Sequence, residues 1–366
     1  MRIGILGSGF MGGTHARAYA KVPGVEIVAV SSRHLDKAEK LAAEVGAKAT
    51  TDDRAIIEDP TIDAISNTLP TNLHPDSTIA ALNAGKHVLL EKPFALTGPD
   101  CDGMIATAGS TGKILMLAHV CRFWGEYGSL VEFVHAGKLG KPISAVASRL
   151  SQLPAWADWF LDPALSGGAV LDLSVHDFDV VNWVLGTPKT VYARGKEARP
   201  GLWNDIQASV DYGDASGLVE GSEFMPADYP FSCGLKVLCE GGVIEFRFQA
   251  GGASVEMGGG SSLTVHEPGK AYPLDPKPGD AYDNQIACFV DCVREGRAPT
   301  LGTPEQGRLA VRTANAARES METGAVVSVG HGRPRVSCAR ASPAGRKNAS
   351  PRVSRFPGRK QVLDAY

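Results

Sequence analysis

Apolar runs of about five residues alternate with helix-like segments along the first third of the chain. The runs "RIGIL", "VEIVAVSS" and "KHVLLE" are largely apolar throughout, which is typical of parallel strands buried on both faces. The segments between them carry apolar residues at helical spacing. Residues 1–120 therefore predict an α/β domain, a doubly wound parallel sheet covered by helices on both faces.

The pattern changes after Pro142. Strand-like stretches, from "ISAVASRLSQ" to "VIEFRF", then follow one another with turns between them, which predicts a largely antiparallel sheet. One predicted helix, from about Val170 to Val184, interrupts the strands, and a helical pair near 281–323 follows them. Residues 121–330 are thus expected to form an α+β domain, and the junction between the two domains is the natural ligand cleft.

Composition narrows the class of protein. The chain has 366 residues, of which 43% are hydrophobic and 21% charged, as in ordinary two-domain globular proteins. It has no apolar run of transmembrane length and no signal-peptide pattern. Its seven cysteines are scattered, without a C-x-x-C pair, so we expect reduced thiols, a cytoplasmic location, no membrane partner and no metal site.

Residues 331–366 form a basic tail. Its last 34 residues carry nine Lys or Arg against one acid, a charge of +8, whereas the whole chain carries −3. Several prolines and serines and little apolar periodicity predict a disordered segment. A solvated tail without a role is expected, and no nucleic-acid partner. Contact with nucleic acid or an acidic surface is the alternative.

A glycine-rich turn follows the first apolar run. In "GSGFMG", Gly7 permits a tight turn, Gly9 lets the backbone approach a pyrophosphate, and Gly12 lets a helix starting near Met11 lie close to the strand. The N-terminus of that helix offers free N–H groups to phosphate. A glycine-rich turn without any ligand is the alternative, because the pattern is short.

The end of the second predicted strand bears on the choice of cofactor. A dinucleotide site predicts an acidic residue there, about 20 residues after the glycines, to hold the ribose 2′-hydroxyl. The chain instead has Ser31, Ser32 and Arg33, a better match to a 2′-phosphate. NADP is therefore favoured over NAD, and the alternative is a polar loop whose Arg33 faces solvent.

Two further motifs carry candidate chemistry. Lys92, in "EKP", follows a strand at the edge of the sheet where ligands bind, and a lysine there stabilises negative charge on a substrate oxygen. Asp172 and His176 are four residues apart in "GGAVLDLSVHD", so they share one face of the predicted helix. An imidazole is the usual base for an alcohol proton. A surface lysine, a capping aspartate and a core histidine are the alternatives.

Taken in order, these three motifs resemble the Gfo/Idh/MocA family of nicotinamide-dependent sugar and cyclitol oxidoreductases. The resemblance covers residues 1 to about 330 and includes "LPTNLHPD", whose Asn72 and His74 match a family motif near the nicotinamide. It implies a Rossmann domain and a C-terminal open antiparallel sheet used for oligomer contacts, in a homodimer or homotetramer. It also implies that Lys92, Asp172 and His176 are catalytic. The predicted cofactor contacts are Gly7, Gly9, Phe10, Met11, Gly12, Ser31, Ser32, Arg33, Leu69, Asn72, His74, Glu91 and Lys92.

The predicted substrate contacts are the catalytic residues together with two others. Arg122, in "HVCRF", lies where the family often has a substrate-facing segment, although the match is looser. Trp156 lies in "LPAWADWF" and offers a stacking surface to a sugar ring, with packing as the alternative. Two departures stand out: Ser32 replaces the family's common Asp, and Ala169 replaces the third glycine of "GGG".

The resemblance implies hydride transfer between a nicotinamide cofactor and a secondary alcohol or ketone of a sugar, sugar derivative or cyclitol. His176 would take the hydroxyl proton, Lys92 would stabilise charge on that oxygen, and Asp172 would orient the substrate. One alternative is an NAD-dependent glycosidase that oxidises its sugar transiently. The other is a non-catalytic dinucleotide-binding regulator, which would need no proton-transfer residues.

Overall fold

The computed structural model describes residues 1–153, 158–252 and 258–330. Its helices are α1 Phe10–Tyr19, α2 Leu35–Val45, α3 Asp53–Ile57, α4 His74–Asn83, α5 Gly98–Thr111, α6 Gly125–His135, α7 Pro163–Ser166, α8 Ala169–Asp172, α9 Val175–Leu185, α10 Ala281–Glu295 and α11 Pro304–Thr323. Its strands are β1 Arg2–Leu6, β2 Glu26–Ser31, β3 Lys48–Thr50, β4 Ala64–Asn67, β5 His87–Glu91, β6 Leu115–Ala118, β7 Pro142–Leu150, β8 Thr190–Arg199, β9 Leu202–Asp211, β10 Ser216–Ser222, β11 Ser232–Cys239, β12 Gly242–Ala250, β13 Gly259–Glu267, β14 Lys270–Pro273 and β15 Val327–Ser328.

The first sheet has six parallel strands in the order β3-β2-β1-β4-β5-β6. The prediction of a doubly wound Rossmann sheet is confirmed, and its apolar strands are buried as expected; Ile3, Ile5 and Leu89, for example, are fully buried. The strand order reverses between β1 and β4. Ligands of such sheets bind at that point, outside the carboxyl ends of the strands.

The second sheet has nine strands in the order β14-β13-β12-β11-β7-β10-β9-β8-β15. Its neighbours pair antiparallel except β7 and β10, which are parallel, so the predicted mainly antiparallel sheet is confirmed. The pattern did not predict β13, β14 or β15. The first half of β13, "GGSS", is exposed, and the edge strands β14 and β15 have only four and two residues. Backbone pairing holds such strands in the sheet without an apolar run.

The helix predicted from Val170 to Val184 is wrong in one respect, because it breaks between α8 and α9. In a continuous helix the Asp172 carbonyl would accept the His176 amide. That carbonyl instead accepts a hydrogen bond of 2.8 Å from Lys92 Nζ. Asp172 therefore ends one short helix and His176 lies in the first turn of the next.

The last helices return to the first sheet. Ile286, Phe289 and Val290 of α10 are fully buried in the same cluster as Ile3 and Tyr19, and burying each such side chain contributes about 1.5–3 kcal/mol. The helical pair predicted near 281–323 is present as α10 and α11. The predicted tail, residues 331–366, lies outside the described residues. None of the described helices is both long and apolar enough to cross a membrane.

Candidate active site

The glycine-rich turn lies between β1 and α1, and its three glycines meet different surroundings. Gly7 has a φ of +94°, which side chains rarely adopt. A Cβ on Gly12 would lie 2.1 Å from the Gly7 carbonyl oxygen, so a side chain there would force α1 away from the turn. A Cβ on Gly9 would meet no described atom within 4 Å. The turn is thus tight at two glycines and open at the third.

The N-terminus of α1 is free to bind an anion. Gly9 is its N-cap residue, no side chain caps it, and its first turn holds no acidic residue, so its N–H groups and positive dipole end are available. Ser8 Oγ is buried without a hydrogen-bond partner among the described residues. Phe10 is 49% exposed beside this turn, and Met11 is half-buried. These surroundings fit a pyrophosphate.

At the end of β2 the structure places a carboxylate, Asp53, that the sequence analysis did not predict. Ser31 is fully buried, and its hydroxyl donates to the Asp53 carboxylate at the start of α3. Ser32 accepts a hydrogen bond of 3.3 Å from the His34 amide, and Arg33 is exposed. Asp53 was not predicted, because it reaches the site from an element 22 residues farther along the chain. It places a negative charge beside the predicted ribose position.

His74 connects two loops of the site. Its Nδ1 lies 2.9 Å from the Pro93 carbonyl oxygen, and its Nε2 lies 2.8 Å from the Leu69 carbonyl oxygen. The imidazole is fully buried, and burial lowers its pKa below 6.5. Asn72 is exposed in the intervening turn. His74 thus supports the loop backbone, whereas Asn72 presents its side chain at the surface.

Lys92 and Asp172 form an ion pair where the two sheets meet. Lys92 Nζ lies 3.0 Å from Asp172 Oδ1 and 2.8 Å from the Asp172 carbonyl oxygen. Their side chains remain 19% and 15% exposed. Lys92 follows the carboxyl end of β5, so the structure brings together two of the three predicted catalytic residues, which are 80 positions apart in the chain.

His176 is the third member of this group. Its Nδ1 lies 3.7 Å from Cys121 Sγ. Burial, and then the positive charges of Arg149 and Lys92, hold its pKa well below 6.5. The imidazole is therefore neutral at physiological pH, which is the state a general base requires.

Arg149 anchors the segment that carries His176. Its guanidinium donates to both Asp177 oxygens, at 2.9 and 3.2 Å. It also donates to Tyr127 Oη at 3.3 Å and to Cys121 Sγ at 3.5 Å. Both Arg149 and Asp177 are buried, so this bidentate pair fixes the start of α9 beside the site.

Glu91 connects Lys92 to the glycine-rich turn. Its Oε1 lies 2.9 Å from His15 Nε2, and its Oε2 accepts the Lys92 amide at 3.0 Å. His15 Nδ1 lies 2.7 Å from Ser66 Oγ. Since His15 belongs to α1, a buried polar chain runs from the proposed phosphate helix to the backbone of Lys92. Glu91 is 5% exposed, so its side chain acts through these contacts.

Arg122 was predicted to face substrate, and the structure engages it elsewhere. Its guanidinium donates to both Asp179 oxygens at 2.8 Å, and it lies over the Trp183 ring. Arg122 is 4% exposed. Burial acts to raise the pKa of Asp179, but Arg122 and then His119, 3.2 Å from Asp179 Oδ2, outweigh it and lower that pKa to about 2. A direct contact between Arg122 and substrate stays a prediction. Trp156 lies outside the described residues.

Sequence reasoning missed a buried carboxyl group near the Lys92–Asp172 pair. Glu223, just after β10, is 5% exposed, and its Oε2 accepts a hydrogen bond from Asn204 Nδ2. Burial and the negative charge of Asp172 raise its pKa to about 8. The alternation of buried residues along β10, at 217, 219 and 221, puts position 223 on the buried face. An acidic residue at a position that the alternation predicts to be buried was the sequence signal that could have identified Glu223.

The chain is similar to two domain families and to proteins of known activity. Residues 1–119 match a family described as "Oxidoreductase family, NAD-binding Rossmann fold", and residues 127–245 match "GFO/IDH/MocA C-terminal domain". Myo-inositol 2-dehydrogenase of Thermotoga maritima is 29% identical, over 88% of this chain and 96% of the relative. D-xylose 1-dehydrogenase (NADP(+)) 2 of Haloferax volcanii is also 29% identical, over 90% of this chain and 100% of the relative. The crystal structure of aldose-aldose oxidoreductase from Caulobacter crescentus, complexed with glycerol, shares the fold with a TM-score of 0.78. It is 23% identical and covers 90% of this chain and 99% of its own.

Proposed function

The chain belongs to the GFO/IDH/MocA family of oxidoreductases, and we propose that it transfers a hydride between a nicotinamide dinucleotide and a secondary alcohol or ketone. The proposed substrates are sugars, sugar derivatives and cyclitols, which are the compounds that the relatives are named for. The observation that carries the proposal is the Lys92–Asp172 pair, formed at the carboxyl end of β5 near a neutral His176.

Each catalytic side chain has a distinct role in the proposed reaction. The bound dinucleotide supplies the hydride acceptor or donor. In the oxidation direction His176 takes the hydroxyl proton, and its lowered pKa keeps it unprotonated for that step. Lys92 donates a hydrogen bond to the same oxygen and stabilises the charge that develops there. Asp172 holds the Lys92 ammonium at 3.0 Å and orients the substrate.

The first test replaces the proposed catalytic residues singly. His176→Ala and Lys92→Ala should each lower turnover by ~10²–10⁴-fold. Dinucleotide affinity should stay nearly unchanged in His176→Ala, because His176 is not among the predicted cofactor contacts. His266→Ala, at an exposed position of β13, is the control. NAD(P)H absorbance with myo-inositol, D-xylose and D-glucose reports turnover, and calorimetry reports dinucleotide affinity. Full activity in His176→Ala would contradict the mechanism.

The same assay separates the alternatives. A transient-oxidation glycosidase would cleave glycosides without accumulating NAD(P)H. The relatives reported above are named as dehydrogenases and as an oxidoreductase, which gives that alternative no support. A non-catalytic regulator would bind dinucleotide without turnover. Such a protein would not require a neutral histidine beside a lysine–aspartate pair.

NADP is the proposed cofactor, and two features at the end of β2 act in opposite directions. Ser32 and the exposed Arg33 favour a 2′-phosphate. The Asp53 carboxylate, held by Ser31, would repel it. Asp53→Asn should therefore raise the NADP:NAD ratio of kcat/KM, whereas Ser32→Asp with Arg33→Ala should lower it. A wild-type protein that strongly prefers NAD would contradict the proposal.

A homodimer or homotetramer is the proposed assembly, formed through the face of the nine-stranded sheet. Large apolar side chains are exposed on three neighbouring strands of that sheet: Ile143 of β7, Leu218 of β10 and Leu238 of β11 are 45%, 51% and 39% exposed. Exposed apolar patches of this kind commonly mark interfaces between subunits. Leu218→Glu should shift the protein toward monomer in analytical ultracentrifugation, and an unchanged assembly would contradict this interface.

A further inference from the structure

Glu223 lies just after β10 and faces the catalytic layer. Residues two apart on a strand point to the same side of the sheet, so Glu223 shares a side with Gly221. A Cβ on Gly221 would lie 2.0 Å from Ser174 Oγ, and Ser174 lies in the break between Asp172 and His176. The packing of β10 against this break therefore directs Glu223 toward the catalytic residues.

Asn204 fixes the orientation of Glu223. The two residues lie opposite each other on neighbouring strands, and the Glu223 amide donates to the Asn204 carbonyl oxygen at 2.8 Å. The Asn204 side-chain amide donates to Glu223 Oε2. Asn204 is 1% exposed. One carboxyl oxygen of Glu223 is thus held by a buried amide, and this leaves the other oxygen as the group that can engage a ligand.

Two polar atoms beside this pair lack partners. Ser174 Oγ and Asn204 Oδ1 are buried and make no hydrogen bond within the described part of the chain. Buried polar atoms are almost always paired in folded proteins. A cluster of such atoms next to a buried carboxyl group matches a ligand that carries several hydroxyl groups.

The charge state of Glu223 fits the same ligand. Burial and the neighbouring Asp172 raise its pKa to about 8, although the Asn204 hydrogen bond and Lys92 lower it somewhat. At pH 7 the group is therefore mainly a neutral carboxylic acid, which both donates and accepts hydrogen bonds. A substrate hydroxyl does the same, so the two are complementary.

We propose that Glu223 is a specificity-determining residue that binds a substrate hydroxyl other than the one being oxidised. This inference rests on the proposed function. Ser174 Oγ and Asn204 Oδ1 would bind further hydroxyls of the same molecule. Neutral polyols, aldoses and cyclitols are the favoured class. A sugar acid with its carboxylate at this point would meet the negative charge of Asp172.

The test compares substrates that differ by one hydroxyl. Glu223→Ala and Glu223→Gln are measured with myo-inositol, D-glucose and the monodeoxy analogues of each. Glu220→Gln is the matched control, because Glu220 lies on the same strand with its side chain exposed. Glu223→Ala should lower kcat/KM for a parent polyol by roughly 10- to 100-fold, mainly through KM. The analogue that lacks the bound hydroxyl should lose less than about 3-fold.

Glu223→Gln keeps the shape of the side chain and separates binding from folding. It should retain most activity on neutral polyols at pH 7, where the carboxylic acid that it replaces is also uncharged. Equal losses in Glu223→Ala across all deoxy analogues, or losses no larger than in Glu220→Gln, would overturn the proposal. Calorimetry of myo-inositol binding to the protein–NADPH complex separates a failure of the role proposed for Glu223 from a failure of the proposed function. Turnover by wild type with an unselective Glu223→Ala overturns the role of Glu223 alone, whereas absence of polyol binding and turnover in wild type overturns both.

Discussion

Replacing Glu223 by glutamine should stabilise the protein at neutral and alkaline pH and leave its stability at pH 4 nearly unchanged. Burial raises the pKa of this carboxyl group from 4.5 to about 8 in the folded chain. Between these two values the unfolded chain has released the proton and the folded chain still holds it. Folding stability therefore falls as pH rises through this range, and it is at its fullest below pH 4.5.

The size of the effect follows from the same two values. The pKa values of Glu223 in the unfolded and folded chains differ by roughly 3.5, and a difference of one in pKa corresponds to about 1.36 kcal/mol. Wild type therefore loses at most about 5 kcal/mol of folding stability above pH 8. Glutamine does not titrate, and its amide oxygen still accepts from Asn204. The difference between Glu223→Gln and wild type should thus grow by about 1.4 kcal/mol per pH unit from pH 5 to 8 and then level off.

Urea denaturation of wild type, Glu223→Gln and Glu220→Gln at pH 4, 6, 8 and 9 provides the measurement. Glu220 is exposed, so its variant should track wild type at every pH. Curves for Glu223→Gln and wild type that run parallel across the range would refute the reasoning. The carboxyl group would then titrate alike in the folded and unfolded chains.

Four further substitutions test separate features of the structure. Gly9→Ala should weaken dinucleotide binding in calorimetry while leaving the melting temperature within about 2 °C, because its Cβ meets open space. Gly12→Ala should lower stability by at least 1–3 kcal/mol, since its Cβ would lie 2.1 Å from a backbone oxygen; equal melting temperatures for the two variants would contradict this distinction. Arg122→Met should cost about 3–5 kcal/mol in urea denaturation, because it removes the guanidinium that donates to both Asp179 oxygens and leaves this buried carboxylate with His119 Nδ1, at 3.2 Å, as its remaining charged neighbour. Arg122→Met with Asp179→Asn should recover part of that loss, and no recovery would argue against the ion pair as the cause.

The first sheet was predictable because its signal is local. The central strands β1, β4 and β5 and the edge strand β6 are almost wholly buried, so a continuous apolar run marks each of them. The elements that were missed lack that signal: β3 has three residues, and β13 is exposed over its first half. Their place in a sheet depends on backbone hydrogen bonds to neighbouring strands, which leave little trace in composition.

The site divides in the same way. Gly7, Gly9 and Lys92 could be predicted as site residues because a turn or a strand end makes its own motif within a few residues. Asp53 and Glu223 were not predicted, because each carboxyl group comes near the candidate site only when elements distant in the chain pack together. The helix break before His176 could not be predicted from the local sequence either. There the Asp172 carbonyl oxygen accepts a hydrogen bond from Lys92, 80 residues earlier in the chain.

The return of α10 to the first sheet limits how this chain can be divided. The apolar side chains of α10 complete the hydrophobic cluster around α1. Lys21, just after α1, forms an ion pair with Asp283 of α10. The Asn284 side-chain amide donates to the Phe123 carbonyl oxygen. A fragment ending at the predicted boundary of residue 120 would therefore expose that cluster to water. The Rossmann domain therefore cannot be exchanged for that of a relative by joining the two sequences at a single point. A chimera with a relative needs two such points, one after β6 and one before α10, so that both pieces of this domain come from the same parent.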